Sequence, residues 1–425
     1  GTPATNTPQY WGGKIPWITS ADIDRDHSLR VRKHISELGL KSSAANRVPP
    51  GSVVVATRVG LGKVALAKTD LAFSQDCHAL LFDPSSLEPS YVAIYMGCAS
   101  QSYRHVARGT TINGITKAQL LDTPLLIPPL PEQRRIVAEI EKQLTRLEAA
   151  EAALLRLKAN LRRYRAAVLK AACEGRLVPT EVELARAEGR EYEPAGTLLA
   201  RILEKRRSLW GRGPEAGSWT SGSPGYARTK ENRYCSPLPP DLTDAPVIPP
   251  GWTLTSMDAL TIRITSGSRD WTPFYGTGSG TFLMAQNVRP GRLDLSARQP
   301  VDPPRDDPSR YRSEVRRGDL LVTIVGANTG DVCRVTEDLP EHYICQSVAL
   351  MRPVLPETSS YLCLYMDSES GGQRQYKRYI YGAGRPHLSF AQLKASVVGL
   401  PPLPEQHRIV AEVERRLPVV EQLEA

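Results

Sequence analysis

The stretch Ile127-Pro-Pro-Leu-Pro-Glu-Gln-Arg-Arg-Ile-Val-Ala-Glu-Ile140 is nearly repeated as Leu400-Pro-Pro-Leu-Pro-Glu-Gln-His-Arg-Ile-Val-Ala-Glu-Val413, 273 positions further along the chain. The two strings differ only at their first, eighth and last positions. Two unrelated amphipathic helices would not agree so closely, so we infer that the chain contains one structural unit twice.

The repeat extends upstream of both strings, first at the same offset and then with a drift of a few residues. Matched positions include Tyr103 and Tyr376, Gln75 and Gln346, and Gly51 and Gly318. Short β-branched runs bounded by glycines surround these positions, which predicts strands closed by tight turns. Each copy is therefore expected to be an α+β domain of roughly 130 to 150 residues. The loops between the matched segments are much less alike.

A helix is predicted after each string, because Pro131 and Pro404 can occupy a first helical turn whereas the Pro-Leu-Pro segment cannot be helical. Beyond Pro131 apolar residues recur at alternating spacings of three and four, which predicts a coiled-coil helix as far as Glu174. Such a helix would be about 66 Å long. One residue of the heptad is lost between Leu154 and Leu157, which indicates a local stammer.

The second helix begins in the same phase, and the sequence reaches Ala425 in the middle of a heptad. Two like helices after two like domains predict long antiparallel coiled-coil packing with pseudo-two-fold symmetry. The alternative is that each helix covers only its own domain. Pro418 stands where the first copy has Thr145, and it should kink or shorten the second helix.

Five parts make up the predicted domain organisation. Residues 1–130 form the first domain, 131–175 the central helix, 176–250 a short helix near Thr197 to Trp210 and a Pro/Gly-rich linker, 251–403 the second domain, and 404–425 the distal helix. The segment from Asp258 to Ser268 has no counterpart in the first domain, which is therefore expected to lack its N-terminal strand. The distal helix is likewise expected to be truncated.

The composition is that of an ordinary globular protein with a basic balance. The chain has 425 residues, a net charge of +9 and a pI near 9.2, which favours a polyanionic partner. Seven scattered cysteines without a Cys-x-x-Cys pair indicate reduced thiols rather than disulfides or a zinc site. No apolar run is long enough to cross a bilayer, so a cytoplasmic location is expected.

The sequence offers no motif for catalysis. An adenine methyltransferase needs an acidic residue or Asn followed by Pro-Pro and an aromatic residue, but Asp302-Pro-Pro is followed by Arg305 and is interpreted as a turn. The run from Val325 to Gly330 lacks the Gly-Lys-Ser/Thr of a phosphate loop. The seven histidines have no metal-ligand spacing. We therefore expect a non-catalytic protein without a metal or cofactor of its own.

The ordered combination of motifs resembles the DNA specificity subunit of type I restriction-modification enzymes. The resemblance rests on Tyr10-Trp-Gly-Gly-Lys-Ile-Pro-Trp-Ile-Thr19, Gly62-Lys-Val64, Gly109-Thr-Thr111, Pro250-Gly-Trp252 and both Pro-Leu-Pro-Glu-Gln helices, and it covers almost the whole chain.

The resemblance implies two target recognition domains that each read one half of a split, asymmetric site in double-stranded DNA. It also implies that the helices set the spacer and bind two modification subunits, which methylate adenine N6. Restriction motor subunits are the further partners. S-adenosylmethionine, Mg²⁺ and ATP are expected on the partner subunits and not on this chain.

DNA contacts are expected from basic and amide side chains on loops, some to phosphates and a few to base edges. In the first domain the candidates are Lys14, Thr19, Arg30, Arg32, Lys33, Arg58, Lys63, Arg104, Arg108, Thr110 and Asn113. In the second domain they are Arg269, Gln286, Asn287, Arg289, Asn328, Lys377, Arg378, Arg385 and His387. Gln75 and Gln346 are expected to bridge backbone within the scaffold. Candidates for subunit docking are Glu132, Gln133, Arg134, Glu405, Gln406 and Arg408.

Two alternatives remain open at this point. One is that the chain is the recognition region of a fused methyltransferase-nuclease whose catalytic domain lies elsewhere. The other is a coiled-coil scaffold that does not bind DNA, which would show no dependence of DNA affinity on salt.

Overall fold

The computed structural model describes residues 1–24, 28–100, 103, 114–210, 234–243, 245–380, 384 and 386–418. The chain divides into two compact units, Gly1–Leu154 (unit 1) and Leu155–Ala425 (unit 2). Within the described residues no helix combines the length and the apolar character needed to span a membrane. Both units mix helices with sheets, which confirms the expected α+β class.

Unit 1 consists of two small sheets flanked by helices. Its strands are β1 (Trp11–Ile18), β2 (Lys33–Ile35), β3 (Asn46–Val48), β4 (Val53–Ala56), β5 (Val64–Leu66), β6 (Leu71–Phe73) and β7 (Cys77–Leu80). Its helices are α1 (Glu37–Lys41), α2 (Pro89–Ala99), α3 (Lys117–Leu121) and the start of α4 (Leu130–Cys173). The strand orders are β2-β1-β6-β3 and β5-β4-β7. Val53 and Val55 of β4 pack with Val92 and Met96 of α2 in one apolar cluster.

Unit 2 repeats this plan with additions. Its strands are β8 (Thr253–Ser256), β9 (Thr261–Ser266), β10 (Tyr275–Leu283), β11 (Val288–Arg289), β12 (Arg292–Leu293), β13 (Gln299–Val301), β14 (Leu320–Thr323), β15 (Val332–Arg334), β16 (His342–Ile344), β17 (Val348–Pro353) and β18 (Val397–Leu400). Its helices are α5 (Glu181–Glu188), α6 (Ala195–Leu209), α7 (Met257–Leu260), α8 (Pro308–Ser313), α9 (Ser359–Asp367), α10 (Gly372–Tyr379), α11 (Phe390–Ala395) and α12 (Leu403–Arg416).

The strand register confirms that the two copies share one frame. In unit 1 Val53 of β4 pairs with Leu80 of β7, and in unit 2 Leu320 of β14 pairs with Met351 of β17. The turn before each central strand uses a glycine with positive φ, +87° at Gly51 and +91° at Gly318, a conformation that other L-residues rarely adopt. The position of these two glycines therefore follows from the turn that each copy needs.

One difference between the units concerns the opening strands of unit 2. There the sheet order is β15-β14-β17-β9, and a further pair is β18-β8. In the described part of unit 1 the matching sheet has three strands, and β7 lies at its edge. The expectation that the first domain lacks its N-terminal strand stays a prediction.

Helix α4 runs without interruption from Leu130 to Cys173, close to the predicted helix from Pro131 to Glu174. Gly175 follows it with φ +65°. The apolar stripe predicted as a coiled-coil seam lies largely in solvent: Leu144, Leu147 and Leu154 are 53%, 65% and 58% exposed. The helix suits a coiled-coil linker, while the antiparallel, pseudo-two-fold packing of the two helices stays a prediction.

Two further helices bear on the predictions. Helix α12 ends at Arg416, two residues before Pro418. A proline disfavours helical backbone in the residue before it, which here is Leu417. Helix α5 was not predicted, although Thr180 and Glu183 form a capping box that the sequence displays as Thr-x-x-Glu.

Candidate nucleic-acid interface

An open cleft of about 690 Å³ lies on unit 2 beside the ends of β9 and β14. Its lining is mainly polar and includes Ser266, Arg269, Asp270, Arg312, Gln346, Ser347 and His387. Two of these residues, Arg269 and His387, are among the predicted DNA contacts. Cations and amides around an open cleft can contact both the phosphates and the base edges of DNA.

Two backbone segments meet to form one wall of this cleft. Leu388 N donates to Ile324 O (2.9 Å), and Gly326 N donates to Pro386 O (3.2 Å). These bonds bring the turn that follows β14 beside the residues that precede α11. As a result the loop that carries Asn328 lies next to the segment of His387.

A pair of side chains holds another part of the cleft lining. Arg269 Nε donates to Gln346 Oε1 at 2.6 Å. The prediction that Gln346 bridges backbone is therefore wrong for its carbonyl oxygen, which binds a cationic side chain at the rim. The Oε1 of Gln75 likewise contacts a side chain and not backbone, because it accepts from Thr2 Oγ1 at 2.7 Å. Both glutamines mark the same place in the two units.

Arg312 is a cleft residue that the sequence analysis missed. Its Nε is buried and has no hydrogen-bond partner among the described residues. The charge-rich run Arg310 to Arg317 around α8 was the available signal, but nothing in the sequence connects that run with Gln346 or His387.

In unit 1 the same two backbone segments meet, and other side chains surround this junction. Ile115 N donates to Thr57 O at 2.9 Å, which matches the bond between Leu388 and Ile324. His78 lies beside this junction, and its Nδ1 is 2.9 Å from Thr57 Oγ1. Burial lowers the pKa of His78, and the nearby cations Lys117 and Arg58 lower it further. The junction of unit 1 thus has the exposed basic residues Arg58 and Lys117 near it.

The remaining predicted contacts fall into three groups. Exposed residues are Lys14, Arg30, Arg32, Lys33, Arg58, Arg269, Gln286, Lys377 and Arg378, while Thr19, Lys63, Arg289, Asn328 and His387 are half-buried. Arg104, Arg108, Thr110, Asn113 and Arg385 lie outside the described residues.

Several of these side chains already have partners. Arg32 Nε lies 2.5 Å from Asp22 Oδ1, and Lys377 Nζ lies 2.6 Å from Glu369 Oε2. Burial alone would raise the pKa of Asp22, but hydrogen bonds from Arg32 and Thr19 outweigh it and hold that pKa below its ordinary value. The side chain of Thr19 also caps a short 3₁₀ helix, because its Oγ1 accepts from Ala21 N at 3.2 Å.

The structure contradicts the predicted role of Asn287. Its side chain is 1% exposed, and its Nδ2 donates to Asp294 O and Ala297 O. Its Oδ1 accepts from Met284 N, as Asp22 Oδ2 accepts from Thr19 N in unit 1. Asn287 therefore holds a turn and is not available to DNA.

Three of the predicted docking residues are also buried. Gln133, Glu405 and Gln406 have no exposed area, because each satisfies polar groups inside its own unit. Gln133 Nε2 donates to Pro128 O and Gln406 Nε2 donates to Pro401 O. Arg408 pairs with Glu181, at 2.7 Å. Glu132 and Arg134 remain exposed.

In comparisons with known proteins, the family model matches the first copy of the repeat. Residues 1–156 match the family model of the type I restriction modification DNA specificity domain. The chain is 27% identical over 139 residues to the MjaIX specificity subunit of Methanocaldococcus jannaschii, covering 32% of each chain. It is 28% identical over 149 residues to the EcoR124I/EcoR124II specificity subunit of Escherichia coli, covering 33% of this chain and 37% of that one.

A longer alignment reaches the EcoBI specificity subunit of Escherichia coli, with 25% identity over 326 residues, 74% of this chain and 56% of the relative. The matches thus span between about a third and 56% of these curated relatives.

Solved structures show the same fold over nearly the whole chain. One, from work on complex assembly and conformational transition of the type I R-M system, superposes with a TM-score of 0.61 at 16% identity and covers 100% of this chain and 88% of that one. The HsdS subunit from Thermoanaerobacter tengcongensis gives 0.53 at 19% identity, covering 99% and 86%. The expected resemblance is therefore confirmed: this chain is similar to the DNA specificity subunits of type I restriction-modification enzymes, and its first 156 residues match the family model of the type I restriction modification DNA specificity domain.

Proposed function

We propose that the chain is a non-catalytic, sequence-specific DNA-binding subunit in which each unit reads one half of a split, asymmetric site in double-stranded DNA. The observation that carries this proposal is the junction found in both units. The same pair of backbone segments meets at Thr57 and Ile115 and at Ile324 and Leu388, yet it presents different side chains. One frame with two sets of polar residues suits two different base sequences.

The net charge supports the same function. A chain with +9 attracts a polyanion, and clustered exposed arginines and lysines can neutralise phosphates along the duplex. Helix α4 would separate the two half-sites, because a continuous helix of 44 residues extends well beyond one turn of DNA, which is about 34 to 36 Å.

We also propose that the exposed surface of α4 docks the modification subunits and, through them, the restriction subunits. Leu144, Leu147 and Leu154 form an apolar stripe on this helix, and exposed leucines in such a row favour a protein partner. Exposed Glu132 and Arg134 at the start of α4 are the remaining polar candidates for this contact.

The test of DNA reading is selection from a pool of randomised duplexes with the purified chain, followed by sequencing. We expect enrichment of a motif with two unlike halves at a fixed separation, and an affinity whose logarithm falls linearly with the logarithm of salt concentration. Affinity that does not change with salt, or recovery of no motif by a folded chain, would contradict the proposal.

Docking needs a separate measurement. The chain is mixed with modification subunits and analysed by size-exclusion chromatography with light scattering. A variant with Leu144, Leu147 and Leu154 changed to Gln should lose the complex but keep DNA binding. Retention of the complex by this variant would place docking elsewhere.

A further inference from the structure

Arg269 stands on a short backbone segment of unit 2 that is anchored on both sides. Ser268 is 4% exposed and forms a parallel β-bridge with Cys345. Trp271 is 1% exposed, and its Nε1 donates to Asp307 Oδ2 at 2.6 Å. Arg269 itself is exposed and lines the cleft. The base of this side chain is therefore fixed, while its guanidinium lies at the open cleft.

A glutamine holds the guanidinium as well. Gln346 Oε1 accepts from Arg269 Nε at 2.6 Å. Because the guanidinium is planar, this bond sets the orientation of the whole group. Neither Nη atom of Arg269 has a hydrogen-bond partner among the described residues. Their N–H groups form a rigid fork that suits two acceptors on one flat edge.

The matching glutamine of unit 1 holds a side chain of another kind. Gln75 and Gln346 each stand two residues after the end of a parallel strand, β6 or β16. Thr2 Oγ1 donates to Gln75 Oε1 at 2.7 Å, as Arg269 Nε donates to Gln346 Oε1. The same acceptor thus holds a short neutral side chain in one unit and a long cation in the other. Such a difference at one matched position suits two half-sites with different bases.

The lining around Arg269 favours a base edge over a phosphate. Asp270 is exposed and also lines the cleft. A phosphate bound to Arg269 would be repelled by this carboxylate. In the major groove guanine presents two acceptors, O6 and N7, and its cytosine partner presents the N4 amino group, which a carboxylate can accept from. A guanine·cytosine pair therefore fits beside Arg269 and Asp270 better than a phosphate does.

We propose that Arg269 reads a guanine in the half-site of unit 2 and that Gln346 is its positioning residue. This inference rests on the proposed DNA-reading function and names one base that the chain recognises. The two Nη groups of Arg269 donate to O6 and N7 of the guanine. Gln346 contacts no base in this arrangement, and it acts by holding the guanidinium through Nε.

The first measurement identifies the base. Randomised duplexes are selected with the unchanged chain and with the Arg269→Ala chain, and both pools are sequenced. We expect one guanine position of the motif to become degenerate in Arg269→Ala, while the other positions stay. Arg415→Ala is the matched control, since Arg415 is an exposed arginine on α12 outside the cleft lining, and it should select the unchanged motif.

The two proposals fail in different ways in this experiment. Recovery of no motif by the unchanged, folded chain would overturn the DNA-reading function and this inference together. A motif that Arg269→Ala selects unaltered would overturn this inference alone.

The second measurement tests the contact to guanine on a single selected duplex by fluorescence anisotropy. Arg269→Ala should weaken binding about 5- to 150-fold, the range for loss of one good base contact. Replacing the guanine by 7-deazaguanine, which lacks the N7 acceptor, should weaken binding by the unchanged chain but not by Arg269→Ala, because the two changes remove the same contact. An equal loss of affinity by Arg269→Ala on every duplex would assign Arg269 to a phosphate and overturn the proposal.

The third measurement tests the positioning role of Gln346. Gln346→Ala should reduce the discrimination between guanine and the other bases at that one position, while the dependence of affinity on salt stays as in the unchanged chain. Gln346→Glu should restore the discrimination, because a carboxylate also accepts from Arg269 Nε. Circular dichroism verifies that each variant is folded. Full discrimination by Gln346→Ala, or none by a folded Gln346→Glu chain, would overturn the positioning role.

Discussion

Arg352 and Asp319 form a two-point ion pair inside unit 2. Arg352 Nε lies 2.8 Å from Asp319 Oδ1, and Arg352 Nη2 lies 2.8 Å from Oδ2. Both residues are buried, and Arg352 Nη2 also donates to Glu314 O. The pair ties β17 to the turn before β14. In unit 1 the matching positions hold Ser52 and Leu81, so the pair belongs to the second copy alone.

Removing one partner of this pair should strongly destabilise unit 2. Asp319→Ala leaves a buried guanidinium without its counter-charge, for which we expect a loss of about 3–5 kcal/mol in the free energy of unfolding. Urea denaturation followed by circular dichroism measures it. The exposed pair of Lys377 and Glu369 is the control, and Glu369→Ala should cost less than about 1 kcal/mol. Equal losses for both variants would contradict the prediction.

Glu405 should make the stability of unit 2 depend on pH. Burial raises the pKa of Glu405 above its ordinary value of 4.5. The folded state therefore holds the proton more tightly than the unfolded state, and the free energy of unfolding should fall as pH rises from 4.5 through the raised pKa. Glu405→Gln should flatten this dependence, measured by urea denaturation between pH 4.5 and 7.

Glu412 provides the control for that experiment. Hydrogen bonds from Arg415 and Arg416 lower the pKa of Glu412 to about 2. Its contribution is lost only as pH falls below 4.5, so Glu412→Gln should leave the slope between pH 4.5 and 7 unchanged. A Glu405→Gln chain with the same slope as the unchanged chain would refute the assignment.

Arg269 should contribute to DNA affinity if the cleft of unit 2 contacts DNA. Arg269→Ala removes a cation from its rim, and we expect a loss of about 1–3 kcal/mol in binding. If Arg269 contacts a phosphate, the slope of log K against log salt should also shrink by about one. Arg415→Ala on α12 removes the same charge away from the cleft lining and should have little effect. Equal losses of DNA affinity in both variants would show that only the net charge of the chain matters, and would contradict a specific contact from Arg269.

Thiol reactivity should follow burial. Burial raises the pKa of Cys173 and of Cys363 to about 12, whereas Cys98 is exposed. Maleimide labelling at pH 8, read by mass spectrometry, should modify Cys98 in the folded chain and leave Cys173 and Cys363 unmodified. All three should react in urea. Modification of Cys363 at the rate of Cys98 in the folded chain would show that unit 2 opens readily.

The repeat made the frame predictable. Matching Gln75 with Gln346 and Gly51 with Gly318 gave the correct register of the central strands, because the same turns are required in both copies. Helix α4 followed from its heptads, and the end of α12 followed from Pro418. These features depend on local backbone preferences that a sequence displays directly.

The environment of individual polar side chains was not predictable in this way. Glu405 and Gln406 look like solvated residues of a first helical turn, yet both are buried, because Trp252 and Glu181 approach from more than a hundred residues away. Asn287 resembled a loop amide free to read DNA but instead closes a turn. Arg312 reaches the cleft only through the packing of α8. Such contacts between distant segments leave no local signal.

The hydrogen bonds of Gln133 have a mechanical consequence. Its Nε2 donates to Ser86 O and Pro128 O, and its Oε1 accepts from Glu88 N at 2.8 Å, so the first turn of α4 is clamped to the body of unit 1. A helix clamped at its base acts as a lever arm rather than a tether. Bending or torque applied along α4 would therefore be transmitted into the sheets of unit 1 instead of being absorbed at a hinge.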